Sequence, residues 1–90
     1  MERLHAVIRG DVQGVGFRYF LVQAARPIGL RGWVRNRPDG SVELVAEGGR
    51  ADLDALLGAA RQGPRGARVS DVDVDWTPAA GSLEPFVLSY

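Results

Sequence analysis

Ninety residues are enough for one domain, because two would each fall below the size at which a core sustains itself. The chain is 46% hydrophobic and 24% charged, as in ordinary globular proteins, and its lack of cysteine excludes disulfides, thiolate nucleophiles and Cys-ligated zinc. Eleven basic residues balance eleven acidic ones, which argues against a nucleic-acid binder dependent on a strong positive field.

Leu4 to Val12 reads as a strand, with Leu4, Ala6 and Ile8 at period two before Gly10. Gln13-Gly14-Val15-Gly16 follows as a glycine-containing turn. From Phe17 the period changes: Phe17, Phe20, Leu21, Ala24 and Ile28 form an apolar helical stripe. Pro27 cannot donate to residue 23 and disfavours helical geometry at Arg26, so the helix kinks or ends there, and Gly29 supplies the stop. Arg31 to Arg37 and Ser41 to Glu47 are strand-like, and Pro38-Asp39-Gly40 between them is a hairpin signal. Leu53, Leu56, Leu57 and Ala60 mark a second helix, and Gln62 to Gly66 a loop. A fourth strand runs through Val69, Val72, Val74 and Trp76, and a short fifth from Phe86 to Tyr90.

The order is therefore β-α-β-β-α-β with an extra short strand, in a single domain spanning residues 1–90. Two helical stripes on one face of an antiparallel sheet give an α+β sandwich of the ferredoxin-like kind. A helical crossover makes strands one and two parallel, with strand three between them. Their C-terminal ends then share one sheet edge, which brings the loop from Gln13 to Phe17 towards Asn36.

Two features of that edge carry chemistry. Gly10, Gly14 and Gly16 allow unusual dihedrals, so consecutive N–H groups of the loop from Asp11 to Phe17 can converge on an anion. The helix that follows adds unsatisfied N–H groups and roughly half a positive charge. Arg18 stands at that helix start, where a cation is unfavourable unless an anion joins it. The competing reading is a plain turn with Arg18 paired to a surface acid. Asn36, the sole asparagine, can orient a water without changing charge, or can instead help start the following turn. Every cationic side chain other than His5 is arginine, so a side-chain cation that holds phosphate must be arginine.

The run Gly10-Asp11-Val12-Gln13-Gly14-Val15-Gly16-Phe17-Arg18 resembles the first signature of the acylphosphatase family, Gly-x-Val-Gln-Gly-Val-x-Phe-Arg. Gly32-Trp33-Val34-Arg35-Asn36, then Gly40-Ser41-Val42-Glu43 and Gly48, match the second. Gly29-Leu30 and Gly63-Pro64 through Ala67 to Val69 are weaker family features, so the similarity covers most of the chain. The resemblance implies a hydrolase that cleaves the carboxyl–phosphate bond of acyl phosphates without metal or cofactor. Arg18 would bind the phosphoryl group, with the backbone of Asp11, Val12, Gln13, Gly14, Val15, Gly16 and Phe17 as its cradle. Asn36 would orient the attacking water. Gly16 stands at the family's variable position, which would loosen the cradle.

The remaining groups read as structural. Asp71, Asp73 and Asp75 alternate on one strand, with carboxylates roughly 7 Å apart, so one strand cannot gather them on a metal. They are expected on a solvated face beside arginines. His5 lacks a fixed partner and is not expected to be a base. Glu43 and Glu47 fall on the outward phase of strand three. The serines have no partner base, which disfavours a covalent serine intermediate. RNA-recognition domains share the element order but need aromatics in strand three, where this chain has Glu43 and Glu47 and no aromatic. No apolar run approaches a span of ~20 residues, and the charged start, Met1 to His5, is no signal peptide. The expected protein is a cytoplasmic monomer with no nucleic-acid or membrane partner. An acylphosphatase-like module without this catalysis, or one that handles carbamoyl phosphate, is the alternative; the absence of an extension past Tyr90 favours the free-standing enzyme.

Overall fold

The computed structural model describes all residues, Met1–Tyr90. Its elements are β1 (Glu2–Asp11), α1 (Phe17–Ala25), β2 (Arg31–Asn36), β3 (Val42–Gly48), α2 (Arg50–Gln62), β4 (Arg68–Pro78) and β5 (Val87–Leu88). The sheet order is β4-β1-β3-β2-β5. β3 pairs antiparallel with both β1 and β2, so those two run parallel, and Ile8 and Asn36 both lie opposite Val42. β5 joins the edge of β2 in parallel, making the sheet mixed, and it is shorter than the expected segment from Phe86 to Tyr90. The Phe86 side chain is fully buried in the core, and its N–H donates to the Leu30 carbonyl just before β2. No helix is long and apolar enough to cross a membrane.

Both helices lie over one sheet face. Leu4, Ala6 and Ile8 from β1, Val34 from β2 and Val42, Leu44 and Ala46 from β3 alternate inward. Phe17, Leu21 and Val22 of α1 and Leu53, Leu56, Leu57 and Ala60 of α2 close over them. Burying each large aliphatic or aromatic side chain contributes about 1.5–3 kcal/mol, which makes this shared core the main support of the sandwich. Pro27 ends α1 at Ala25 and tightens Arg26–Ile28 into one 3₁₀ turn. The change of pitch turns Ile28 out of the expected stripe, leaving it 39% exposed. Gly29, at φ 73°, closes the turn, and the Leu30 N–H reaches back to the Ala25 carbonyl.

Gly32 meets a different demand. Its φ is 144°, and a Cβ there would overlap the Val45 carbonyl, so the β2–β3 ladder closes only around a glycine.

The open sheet face is charged but ordered. Arg9 pairs with Asp71 and Asp73, as the solvated-face reading expects. His5 does have a fixed partner: its Nε2 donates to Glu43 Oε2 at 2.7 Å, and Arg35 Nε donates to Oε1 of the same carboxylate at 2.8 Å. Their register explains the contact, since Val7, the residue two along from His5 on this face, lies directly opposite Glu43. Glu47 is outward-facing yet buried. The segment after β4 folds over it, and the N–H groups of Ala80 and Gly81 donate to its oxygens at 2.9 and 3.0 Å. Arg3 Nε adds a third bond at 2.7 Å.

These bonds favour the ionised carboxyls. The Ala80 N–H, with Arg3 and the Gly81 N–H, outweighs desolvation and holds Glu47 below the usual range. Desolvation pushes Glu43 up, but the bonds from His5 and Arg35 outweigh it and leave it lowered too. A carboxyl depressed in the folded state stabilises above its unfolded value, near pH 4.3, and that contribution is lost as pH falls through the lower folded value. The melting temperature is therefore expected to fall as pH drops below about 5. Glu47→Gln should flatten that fall in thermal melts between about pH 6 and pH 3, because one of the responsible groups no longer titrates.

Candidate active site

The loop after β1 turns into α1 through two left-handed glycines, Gly14 at φ 77° and Gly16 at φ 76°. The space around both is open, so backbone conformation and not crowding calls for glycine. Gly16 is the N-cap of α1 and takes its left-handed shape without strain, so it has a definite role at the variable position. It has no side chain with which to cap the helix, and the first turn holds no acid. The first helical hydrogen bond runs from the Phe20 N–H to the Gly16 carbonyl at 3.0 Å. The N–H groups from Gly14 to Arg18 have no acceptor within the chain. Unpaired donors and the positive helix end together make this loop attractive to an anion.

Arg18 and Asn36 come together here. They line one cleft of about 200 Å³ with Val12, Gly14, Gly16, Phe17, Tyr19 and Leu88. Three residues of the expected cradle, Asp11, Gln13 and Val15, are not among the lining residues. Asp11 is the last residue of β1, opposite Arg68. Gln13 serves as a strut: its Nε2 donates to the Arg37 carbonyl at 2.7 Å and the Ser41 carbonyl at 2.9 Å. The strut ties the glycine loop to the hairpin that follows Asn36.

The competing readings of the two polar side chains fare poorly. Arg18 pairs with no carboxylate. Its Nη1 instead donates to the Ser89 carbonyl at 3.1 Å, and the Tyr90 ring centre lies 5.0 Å from its guanidinium carbon. These contacts orient the fork while leaving its other donors available. Nor does the Asn36 side chain bond the turn. Asp39 does so, accepting from the Ser41 N–H at 2.9 Å. The Ser41 hydroxyl, then that N–H, keeps the Asp39 carboxyl below the usual range. No three His, Asp or Glu side chains converge as a metal-binding group.

Sequence reasoning missed Tyr19, Leu88, Ser89 and Tyr90. Tyr19 carried a positional signal, since it follows Arg18 in the same helical turn. Leu88 reaches the cleft, and Ser89 and Tyr90 reach Arg18, only because β5 docks beside β2, which no local pattern announces.

The fold and this cleft define a small ferredoxin-like α+β protein with an arginine and unpaired N–H groups gathered at a strand-to-helix turn. Comparison with known proteins makes the class specific. The acylphosphatase family model matches residues 4–88. An acylphosphatase of Salinibacter ruber is 53% identical over 85 residues, covering 94% of this chain and 90% of that protein. The crystal structure of Bacillus subtilis acylphosphatase superposes with TM-score 0.95 at 37% identity, covering all of both chains. Thermococcus kodakarensis HypF matches all of this chain with TM-score 0.83 at 32% identity, but the match covers 12% of that larger protein. The chain belongs to the acylphosphatase family, and it is an enzyme that hydrolyses small acyl phosphates.

Gln13→Ala removes both bonds between loop and hairpin. It should lower unfolding free energy by about 1–2 kcal/mol, near the net worth of two ordinary hydrogen bonds, measured by denaturant titration.

Proposed function

We propose that the enzyme attacks the phosphoryl group with a water oriented by Asn36, while Arg18 and the glycine loop hold the phosphate. The observation that carries this reading is the shared cleft, where an arginine without an acidic partner, free N–H groups and an unengaged amide converge. Phosphoryl transfer passes through a loose transition state, so positioning and charge stabilisation do most of the catalysis. Arg18 can grip two oxygens in a planar fork, and the N–H groups take others. The leaving carboxylate has a conjugate acid with a pKa of about 4, so it departs as an anion and needs no general acid. The substrate phosphate accepts the water's proton. Products are the free carboxylate and inorganic phosphate, and no metal ion or cofactor takes part.

We assign all 90 residues to one catalytic domain, acting as a monomer in the cytoplasm without nucleic-acid or membrane partners. The balanced charge supports the absence of a nucleic-acid partner. A second reading, a module in the manner of the HypF segment, has one point in its favour: the same fold occurs inside that larger protein. Hydrolysis of benzoyl phosphate by the isolated chain separates the two.

Arg18→Lys should lower kcat/KM by at least about a hundredfold while the fold survives, because a point charge cannot reproduce a two-pronged contact. Near-normal kinetics with an intact circular dichroism spectrum would remove Arg18 from the site.

Asn36→Ala should lower kcat by two to four orders of magnitude, about 3–5 kcal/mol, with phosphate affinity nearly unchanged. A turn-forming role predicts the reverse: about 1 kcal/mol of lost stability with catalysis retained. Steady-state kinetics and one thermal melt decide between them.

A further inference from the structure

A phosphoryl group leaves much of the cleft unfilled. The cleft holds about 200 Å³, whereas a phosphoryl group has the bulk of roughly two to three waters at ~30 Å³ each. Four of the eight lining residues are hydrophobic, and they fall into two pairs. Val12 and Phe17 are buried members of the core. Tyr19 and Leu88 differ: Tyr19 is 63% exposed, and Leu88 is only partly buried. They come from separate walls, the first turn of α1 and strand β5.

Neither side chain offers a phosphate a useful charge. The substrate, however, has a second part. Its acyl carbon is joined to the phosphoryl group through one bridging oxygen, so an anchored phosphate delivers the acyl group into the same cleft. The cleft wall away from Arg18 offers apolar side chains, so a hydrocarbon acyl group is the one it would bind best. Exposed large hydrophobic residues are few in this chain, and one of the five, Tyr19, lines this cleft.

We propose that Tyr19 and Leu88 form an apolar acyl subsite that makes the enzyme favour aryl and branched acyl phosphates over acetyl phosphate. The subsite rests on the assignment of the phosphoryl group to Arg18 and the glycine loop. A methyl group buries little area between the two walls. A phenyl ring covers both, and the gain follows apolar area removed from water. The preference resides in the ring of Tyr19 and not in its hydroxyl.

The test compares kcat/KM for benzoyl and acetyl phosphate in the unsubstituted enzyme, Tyr19→Ser, Tyr19→Phe and Leu88→Ala. Inhibition by inorganic phosphate is measured in each. The benzoyl-to-acetyl ratio should fall about five- to twentyfold in Tyr19→Ser, and in the same direction in Leu88→Ala. It should stay within about twofold in Tyr19→Phe. Phosphate should remain a competitive inhibitor with its constant changed by less than about twofold. An unchanged ratio in Tyr19→Ser, or equal losses for both substrates, overturns the subsite. Noncompetitive inhibition by phosphate in the unsubstituted enzyme overturns the phosphoryl assignment itself, whatever the ratio does.

Discussion

Strand β3 lies between β1 and β2, and its two antiparallel ladders govern where every part of the site falls. Because Ile8 and Asn36 both oppose Val42, the two strands that flank β3 leave its ladders at one level of the sheet. The chain leaves β1 into the glycine loop and leaves β2 into the hairpin. Two segments 18 positions apart, measured from Arg18 to Asn36, thus become neighbours without either reaching across the molecule. A slip of one residue in either ladder would invert every side chain and dismantle both core and cleft together.

Rigidity at that edge comes from ordinary contacts. The Gln13 amide bridges loop and hairpin. The Arg18 guanidinium donates to the Ser89 carbonyl, with the Tyr90 ring beside it. Long charged side chains carry large rotamer entropy, so contacts that fix the fork in advance lower the cost of gripping a phosphate. In the proposed site, the protein's share of the catalysis is this prior ordering, since the leaving group needs no proton.

Much of this architecture is readable from local pattern. Period two in Leu4, Ala6 and Ile8, the helical stripe from Phe17 and the Asp39-Gly40 turn each encode one element, and short-range chemistry suffices for them. The meeting of Arg18 and Asn36 is readable as well, because the crossover between parallel strands permits little else. What escapes is long-range. β5 is two residues long and pairs in parallel, and neither fact leaves a periodic trace. Glu47 looks solvated from its strand phase, yet the chain after β4 covers it. His5 gains Glu43 only through a register that the sequence does not print. Tyr19 and Leu88 lie on different elements, so they line one cleft only once β5 has docked.

The strand order also leaves β4, eleven residues long, on an outer border of the sheet. An uncovered border of that length is a template on which a second molecule could extend the sheet. Asp71, Asp73 and Asp75 line its outward face with carboxylates that are 59%, 63% and 81% exposed. Two copies meeting along this border would bring two such rows together, and like charges that face each other across strands repel. That repulsion would weigh against edge-to-edge pairing, offset in part where Arg9 pairs with Asp71 and Asp73.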